Sequence, residues 1–363
     1  MSDSQRVYTQ VHTALKKYLT FVPQNHRIVL AMMITGIVKG RNAQLAQMSN
    51  EIPSRAKNTS TERRLRRFVQ NQRVDVQQYF MPFARILLEY LAKAGPLELV
   101  VDSSVVGRQC VALMVGVAFK NRVLPITWLV YKGKKGHTTV ARHIQVLRQA
   151  IPLLPENARV VLLGDGEFDN VEMLDFIQTN TSWNVVVKTA KSTVLDANTE
   201  YRSQMKDIQV RKGTKHGVLD LKVTQKAYGP MHAVVWWEEP HKEPLFLLTD
   251  MADIWQACRH YRRRALIETL FSDTKSRGFG IAKSRLSVPE RVDRLLLAVC
   301  LSYLWMVYLG TELCALGCQD VLDRKDRRDK SLFRLGLDWL KYQLKQGLGF
   351  HVRFHISPCL LHF

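Results

Sequence analysis

The stretch from Tyr261 to Lys275, YRRRALIETLFSDTK, concentrates side chains that can do phosphate and metal chemistry. Because successive α-helical residues turn by about 100°, a helix here would place four of them within roughly 60° of one another: Tyr261, Arg264, Glu268 and Lys275. The adjoining stripe is apolar and can dock on a sheet. A carboxylate flanked by cations suits a site that holds a metal ion and phosphates together.

A simpler interpretation is a solvated ion pair. Arg264 and Glu268 are four residues apart, and such a pair on an exposed helix contributes only about 0.2–0.5 kcal/mol. The stretch alone favours neither interpretation. However, the spacing Tyr-x2-Arg-x3-Glu-x6-Lys matches the YREK signature. The chain therefore resembles the cut-and-paste DDE transposases of bacterial insertion sequences, in the YREK-signature (insertion sequence four-like) group.

Composition points to a polyanionic partner. The 363 residues are enough for two or three domains. A formal net charge of +21 and a pI near 9.9 favour nucleic acid first and an anionic membrane surface second. The cysteines are scattered, with no paired zinc-ligand spacing, which predicts reduced thiols and a cytoplasmic protein.

No membrane segment is expected. The N-terminus, MSDSQRVYTQ, is polar and unlike a signal peptide. The longest apolar run, near Leu295–Leu309, is shorter than a bilayer span and follows Arg294 directly. We expect a buried helix there. The resemblance implies a bacterial, nucleoid-associated protein.

Residues 1–95 are predicted to form a helical DNA-binding domain. Thr59 and Glu62 have capping-box spacing and would open a helix whose outer face is basic. That face would contain Arg63, Arg64, Arg66 and Arg67. Such a helix suits a phosphate backbone or a groove, although a solubilising charge cluster has the same composition. The resemblance implies that this domain recognises the transposon end.

Residues 96–190 and 251–316 are predicted to form an α/β catalytic core. The pattern gives a three-stranded meander over 97–131, then helix, strand, helix and strand up to 188. This is the order of a ribonuclease H-like mixed sheet with flanking helices. Residues 191–250 would be an inserted β-rich subdomain, and 317–363 a C-terminal helical region.

Three acids are the candidate catalytic and metal-binding residues. Asp102 is predicted to end the first strand and Asp165 the fourth, which should lie beside the first. Glu268 would lie on a helix packed across both. An aspartate at a strand end is often only a turn former, and the YREK match is what favours catalysis. Oxygen ligands without His or Cys suit Mg²⁺, for which Mn²⁺ can substitute.

The residues after Asp165 depart from the family pattern. The family typically has Asp-x-Gly-Phe, whereas here the chain has Asp165-Gly166-Glu167-Phe168. Two acids therefore lie near one strand end. We choose Asp165 because it directly follows the apolar run, and Glu167 is the second candidate.

Candidate DNA contacts complete the predicted site. By resemblance, Tyr261, Arg264 and Lys275 hold phosphates of the transposon end beside the scissile bond. A basic loop adds Lys134, Lys135 and His137, which would otherwise be a solvated loop. Trp236 and Trp237 are predicted to lie on one strand and could stack a base; Trp237 is the candidate chosen, although a tryptophan on a strand is more often in the core. This set of residues would bind double-stranded DNA.

The sequence thus predicts a metal-dependent DNA transposase that acts on transposon ends and target DNA, and the resemblance implies a homodimer on DNA. Within the same fold, the alternative is a nuclease that cuts without joining. From a different class, the alternative is a non-catalytic helix-turn-helix DNA-binding protein whose acids are structural. A membrane-surface protein is a distant third.

Overall fold

The fold is known from a computed structural model, which describes residues 1–239 and 241–361. Its N-terminal region is helical, as predicted. The helices are α1 (Asp3–Tyr18), α2 (Gln24–Gly40), α3 (Leu45–Glu51), α4 (Asn58–Gln70) and α5 (Val76–Ala94).

Strands follow, with two helices among the first of them. The first group is β1 (Leu97–Gly107), β2 (Cys110–Phe119), β3 (Arg122–Lys132), α6 (Val140–Ala150), β4 (Val160–Gly164), α7 (Val171–Asn180) and β5 (Asn184–Lys188). The second is β6 (Val194–Leu195), β7 (Ser203–Gln204), β8 (Lys215–Val223), β9 (Tyr228–Trp236) and β10 (Leu245–Thr249). The last helices are α8 (Ile254–Tyr261), α9 (Ile267–Thr274), α10 (Pro289–Ala315) and α11 (Leu332–Lys345).

In the described part of the chain the strands form one ten-stranded sheet, in the order β3-β2-β1-β4-β5-β10-β9-β8-β6-β7. The β1–β2 and β2–β3 pairs are antiparallel, whereas β1–β4 and β4–β5 are parallel. Every residue of β4 is buried, as expected of a parallel strand covered on both faces. This mixed order confirms the predicted ribonuclease H-like fold.

The strands of residues 191–250 continue the same sheet. β10 pairs antiparallel with β5, and β9 and β8 follow it outward. The predicted insertion is therefore joined to the core through backbone hydrogen bonds as well as through the chain. Its limits as a separate subdomain stay a prediction.

Two local predictions are wrong. β1 continues past Asp102 to Gly107, because Ser103 and Ser104 pair with Leu113 and Ala112 of β2. Asp102 therefore lies inside a strand, not at its end. The helix with the four arginines begins at Asn58 without a side-chain cap, so Thr59 lies inside the helix and the capping box does not form.

The predicted helix over 261–275 is also interrupted. A 3₁₀ segment, Arg262–Leu266, separates α8 from α9. Because a 3₁₀ turn has three residues, Arg262, Arg263 and Arg264 point in three directions about 120° apart. Each meets a different acidic partner: Glu238, Glu98, and the Asp102–Asp165 pair, respectively. These three contacts coincide with the local change from α to 3₁₀ geometry.

Helix α10 passes through the centre of the molecule. It is long and apolar enough to span a membrane, but 94% of its most apolar window is buried against the rest of the protein. It packs on α2, α4, α11 and β3. The predicted buried helix is confirmed, and the helical N-terminal region and the sheet share one continuous apolar core through it.

Candidate active site

The centre of the candidate site is a pair of aspartates, one on β1 and one directly after the adjacent parallel strand β4. Val100 of β1 pairs with Leu163 of β4, so continuing the register by two residues brings Asp102 opposite Asp165. Asp102 is only 1% exposed. The turn after β4 is tight, and a Cβ at Gly164 would lie 2.7 Å from the Cβ of Phe168. Glycine at this position lets the chain fold back directly after Asp165.

One guanidinium joins the two aspartates. Nη2 of Arg264 donates to Oδ2 of Asp102 at 3.1 Å and to Oδ2 of Asp165 at 2.9 Å. Nη1 of the same group lies 3.6 Å from Oε1 of Glu268, whose side chain is 69% exposed. The three predicted acids thus meet around one cation. They do not form a ready-made metal cage, since no cluster of three His, Cys, Asp or Glu side chains with ligand geometry exists among the described residues.

The donor set fits a hard divalent cation. The three acids offer only carboxylate oxygens, which suit Mg²⁺ or Mn²⁺ better than zinc. Two oxygens also have backbone partners: Oδ1 of Asp102 accepts from the Ser103 N–H at 2.6 Å, and Oδ1 of Asp165 from the Glu167 N–H at 3.1 Å. These bonds orient the carboxylates, and Arg264 offsets part of their negative charge.

Burial raises the pKa values of Asp102 and Tyr261. It raises the pKa of Asp102, and the nearby Asp165 carboxylate adds to the effect, whereas Lys135 and Arg264 oppose it. Nζ of Lys135 lies 3.9 Å from Oδ1 of Asp102. Burial also raises the pKa of Tyr261 to about 12. The Tyr261 phenol is therefore protonated at neutral pH and remains a hydrogen-bond donor.

Lys275 reaches the site from just beyond the end of α9. Its Nζ donates to Oγ of Ser104 at 2.9 Å. Burial lowers the pKa of Lys275, and the positive charge of Lys135 contributes. Ser104 was not identified from the sequence. It could have been found from the two-residue period of a strand, which puts Ser104 on the same face of β1 as Asp102.

Glu167, the second candidate at the end of β4, lies apart from the cation. Its Oε1 accepts a hydrogen bond from the Thr138 N–H at 2.7 Å, in the loop before α6. The structure therefore brings Asp165, and not Glu167, to Arg264.

The remaining predicted residues lie outside this cluster of acids. Lys134 and His137 are exposed in the same loop as Lys135. On α4 the exposed cations are Arg63, Arg64, Arg66 and Arg67.

Trp237 is half-buried and follows the end of β9. Its Nε1 donates to the carbonyl of His241 at 2.9 Å. The neighbouring Trp236 instead lines a cleft of about 450 Å³ together with Asp165, Tyr261 and Arg264. The sequence placed both tryptophans on one strand, but it did not show which one faces the cleft.

The fold and the site together indicate the class of protein to which this chain belongs. A ribonuclease H-like sheet with one acid on β1, one directly after β4 and one on α9, with cations around them, is suited to phosphoryl-transfer chemistry. The Transposase DDE domain family matches residues 99–305, a range that includes all three acids and Tyr261–Lys275. The chain belongs to this family. The resemblance noted from the YREK spacing is confirmed at this level.

Comparison with solved structures gives a match to a piggyBac transposase synaptic complex with hairpin DNA, determined by cryo-EM. That match covers 94% of this chain and 78% of the other, with a TM-score of 0.45 and 10% sequence identity. No curated protein matches the chain in sequence.

Proposed function

We propose that the protein is a cut-and-paste DNA transposase. It binds the terminal inverted repeats of its element, cleaves at the element ends and joins the 3′-hydroxyls to target DNA. The observation that best supports this proposal is that three acids from distant parts of the chain meet around Arg264. They are Asp102, Asp165 and Glu268. Membership of the transposase family makes DNA the natural substrate.

The same three acids would hold the divalent ions, with Mg²⁺ as the natural cofactor and Mn²⁺ as a substitute. When bound, a metal pair activates the attacking water or 3′-hydroxyl and stabilises the leaving oxygen. Arg264 is placed to change partners, because its planar fork binds a phosphate through two hydrogen bonds as well as it binds a carboxylate. DNA phosphates would then draw the guanidinium away from Asp102 and Asp165.

Basic side chains around the acids would hold the DNA near the scissile bond. Lys275 and Lys135 supply point charges, and the protonated Tyr261 phenol supplies a directional donor. We also expect three further residues to contact the DNA beside this site: Lys134, His137 and Trp237.

The N-terminal helices would bind the terminal repeat. Residues 1–95 contain 15 Lys and Arg against five Asp and Glu, a net +10 of the total +21. The four arginines of α4 lie exposed within this region. We place the protein in the insertion-sequence YREK group, working as a homodimer on DNA in the bacterial cytoplasm.

The test is incubation of the protein with its own element ends and Mg²⁺, resolved on a denaturing gel for nicks, hairpins and joined products. We expect products with the wild type. Asp102→Asn, Asp165→Asn and Glu268→Gln should give none while DNA binding is kept. Asp338→Asn, which removes a charge from a remote cluster on α11, is the matched control and should cut normally.

Other results would favour the alternatives. Cleaved ends without joined product would indicate a nuclease. DNA binding without Mg²⁺-dependent cutting would indicate a non-catalytic DNA-binding protein. Normal cutting by the three acid variants would overturn the assignment of the site.

A further inference from the structure

The second residue of β1, Glu98, has no place in the chemistry described above, yet it lies on the same strand face as two site residues. Side chains alternate along a strand, so Glu98, Asp102 and Ser104 share one face of β1. Glu98 is well covered, with its side chain 14% exposed. A carboxylate buried to this degree needs partners, because an unpaired buried charge is costly.

The partners of Glu98 lie on both sides of the start of the 3₁₀ segment. Oε1 of Glu98 is 2.7 Å from Nδ1 of His260, near the end of α8. Its Oε2 forms an ion pair with Arg263, the residue immediately before Arg264. Nη2 of Arg263 also donates to the Lys120 carbonyl at 3.1 Å, in the turn between β2 and β3. The segment is thereby attached to the sheet at two points.

Residues taken in order along β1 contact residues taken in order along the helical segment from residue 260 to residue 275. Glu98 holds His260 and Arg263, Asp102 then meets Arg264, and Ser104 meets Lys275. One strand face thus fixes the position of the segment from residue 260 to residue 275. Of these contacts, the one made by Glu98 touches no acid and no predicted phosphate ligand, so its effect on the site is indirect.

We propose that Glu98 is a positioning residue of the active site. It fixes the 3₁₀ segment so that Arg264 lies between Asp102 and Asp165 and Glu268 faces them. The inference rests on the proposed function, because it names a further residue on which that reaction depends. Without Glu98 the segment would keep its other contacts but lose its attachment to the start of β1, and both side chains would be held less firmly against the sheet.

The test compares Glu98→Ala and Glu98→Gln with Asp338→Asn. Asp338 is a suitable control because its side chain is 16% exposed and it also pairs with cations, namely Arg41, Lys330 and Arg334. The first measurement is hydrogen–deuterium exchange of the full chain. We expect faster exchange in peptides covering residues 260–268 for Glu98→Ala, and no change there for Asp338→Asn.

The second measurement is cleavage of element ends. We expect Glu98→Ala to lower turnover by about 10- to 100-fold, as is typical when a residue that orients metal ligands is removed. The dissociation constant for DNA should stay within about twofold. Glu98→Gln keeps an acceptor but removes the charge opposite Arg263, so its decrease in turnover should be smaller.

Two results would overturn the inference. One is unchanged exchange over residues 260–268 in Glu98→Ala. The other is faster exchange there together with wild-type turnover. A wild type that binds DNA but never cuts would overturn the proposed function instead, and the exchange measurement would still decide whether Glu98 fixes the segment.

Discussion

Asp102 and Asp165 accept hydrogen bonds from the same nitrogen, Nη2 of Arg264, at 3.1 and 2.9 Å. A divalent cation would have to bind the same two carboxylates. The guanidinium and the metal therefore compete for one negative site, and DNA phosphate is the partner that would release Arg264. Under the proposed function, this competition would make Arg264 a control on metal binding as well as a ligand for DNA phosphate.

Replacing Arg264 by Gln is expected to tighten Mn²⁺ binding to the DNA-free protein. Two unit charges 4 Å apart interact by about 4 kcal/mol at an effective dielectric constant of 20, so the affinity should rise at least about tenfold. Titration followed by electron paramagnetic resonance measures free Mn²⁺ directly. Arg262→Gln is the control, because Arg262 pairs with Glu238 and not with the aspartates. Equal Mn²⁺ affinities for the two variants would contradict the competition.

The arginines of α4 are expected to set the salt dependence of DNA binding. Arg63 and Arg67 are four residues apart and exposed on one face, whereas Arg66 pairs with Glu62. Removing one arginine–phosphate interaction should make the slope of log K against log salt shallower by about 0.9. The Arg63→Gln, Arg67→Gln double variant should therefore have a slope shallower by about 1.8, measured by fluorescence anisotropy on an end duplex. Arg324→Gln, in the mixed-charge segment after α10, should keep the wild-type slope.

Asp293 is expected to make stability depend on pH. Burial raises its pKa to about 6, against an ordinary value of 3.8, although the Trp128 Nε1 donates to its Oδ1 at 2.7 Å. Between those pH values the folded protein holds a proton that the unfolded chain has released. The contribution of Asp293 to stability therefore falls as pH rises through this window, by up to about 3 kcal/mol.

Asp293→Asn removes that decrease and can still accept from Trp128. Its free energy of unfolding should exceed that of the wild type at pH 7.5 and should not exceed it near pH 4. Urea denaturation at the two pH values measures the difference. Asp326→Asn, at an exposed position, should show no such pH dependence. A difference between Asp293→Asn and wild type that is the same at both pH values would refute the prediction.

Arg294 is expected to hold α4 against the core. Its side chain, in a residue only 8% exposed, donates to the carbonyls of Val69, Val74 and Glu290. Arg294→Met would leave buried acceptors without donors, which costs about 1–3 kcal/mol. Urea denaturation should show this decrease, and Arg291→Met, a half-exposed neighbour, should show much less. Equal decreases for the two variants would argue against a special role for Arg294.

Much of the fold was predictable because it depends on local pattern. The apolar run before Asp165 is a buried parallel strand, and its neighbour in the sheet is the strand that contains Asp102. The apolar stretch after residue 288 is the central helix α10. Burial of a continuous apolar segment leaves few alternatives, so composition and period were sufficient there.

The details of the site depended on partners that are remote in sequence. The local sequence predicted one continuous helix, whereas the three consecutive arginines lie in a 3₁₀ turn and each meets a separate acidic partner: Glu238, Glu98 and the Asp102–Asp165 pair. Likewise, pairing with β2 extends β1 beyond Asp102. Neither the 3₁₀ turn nor the extension of β1 could be predicted from the residues next to it in the sequence.

The sequence by itself determined which side chains could serve the proposed phosphoryl transfer and the order along the chain of the strands that present them. Only the tertiary structure decided that Arg264 stands between Asp102 and Asp165, that Trp236 lines the cleft, and that Glu98 ties the segment to β1. The physical reason is that helix and strand periods are set by the backbone, residue by residue. Charge pairing is decided by which distant groups are buried together, and no local pattern contains that information.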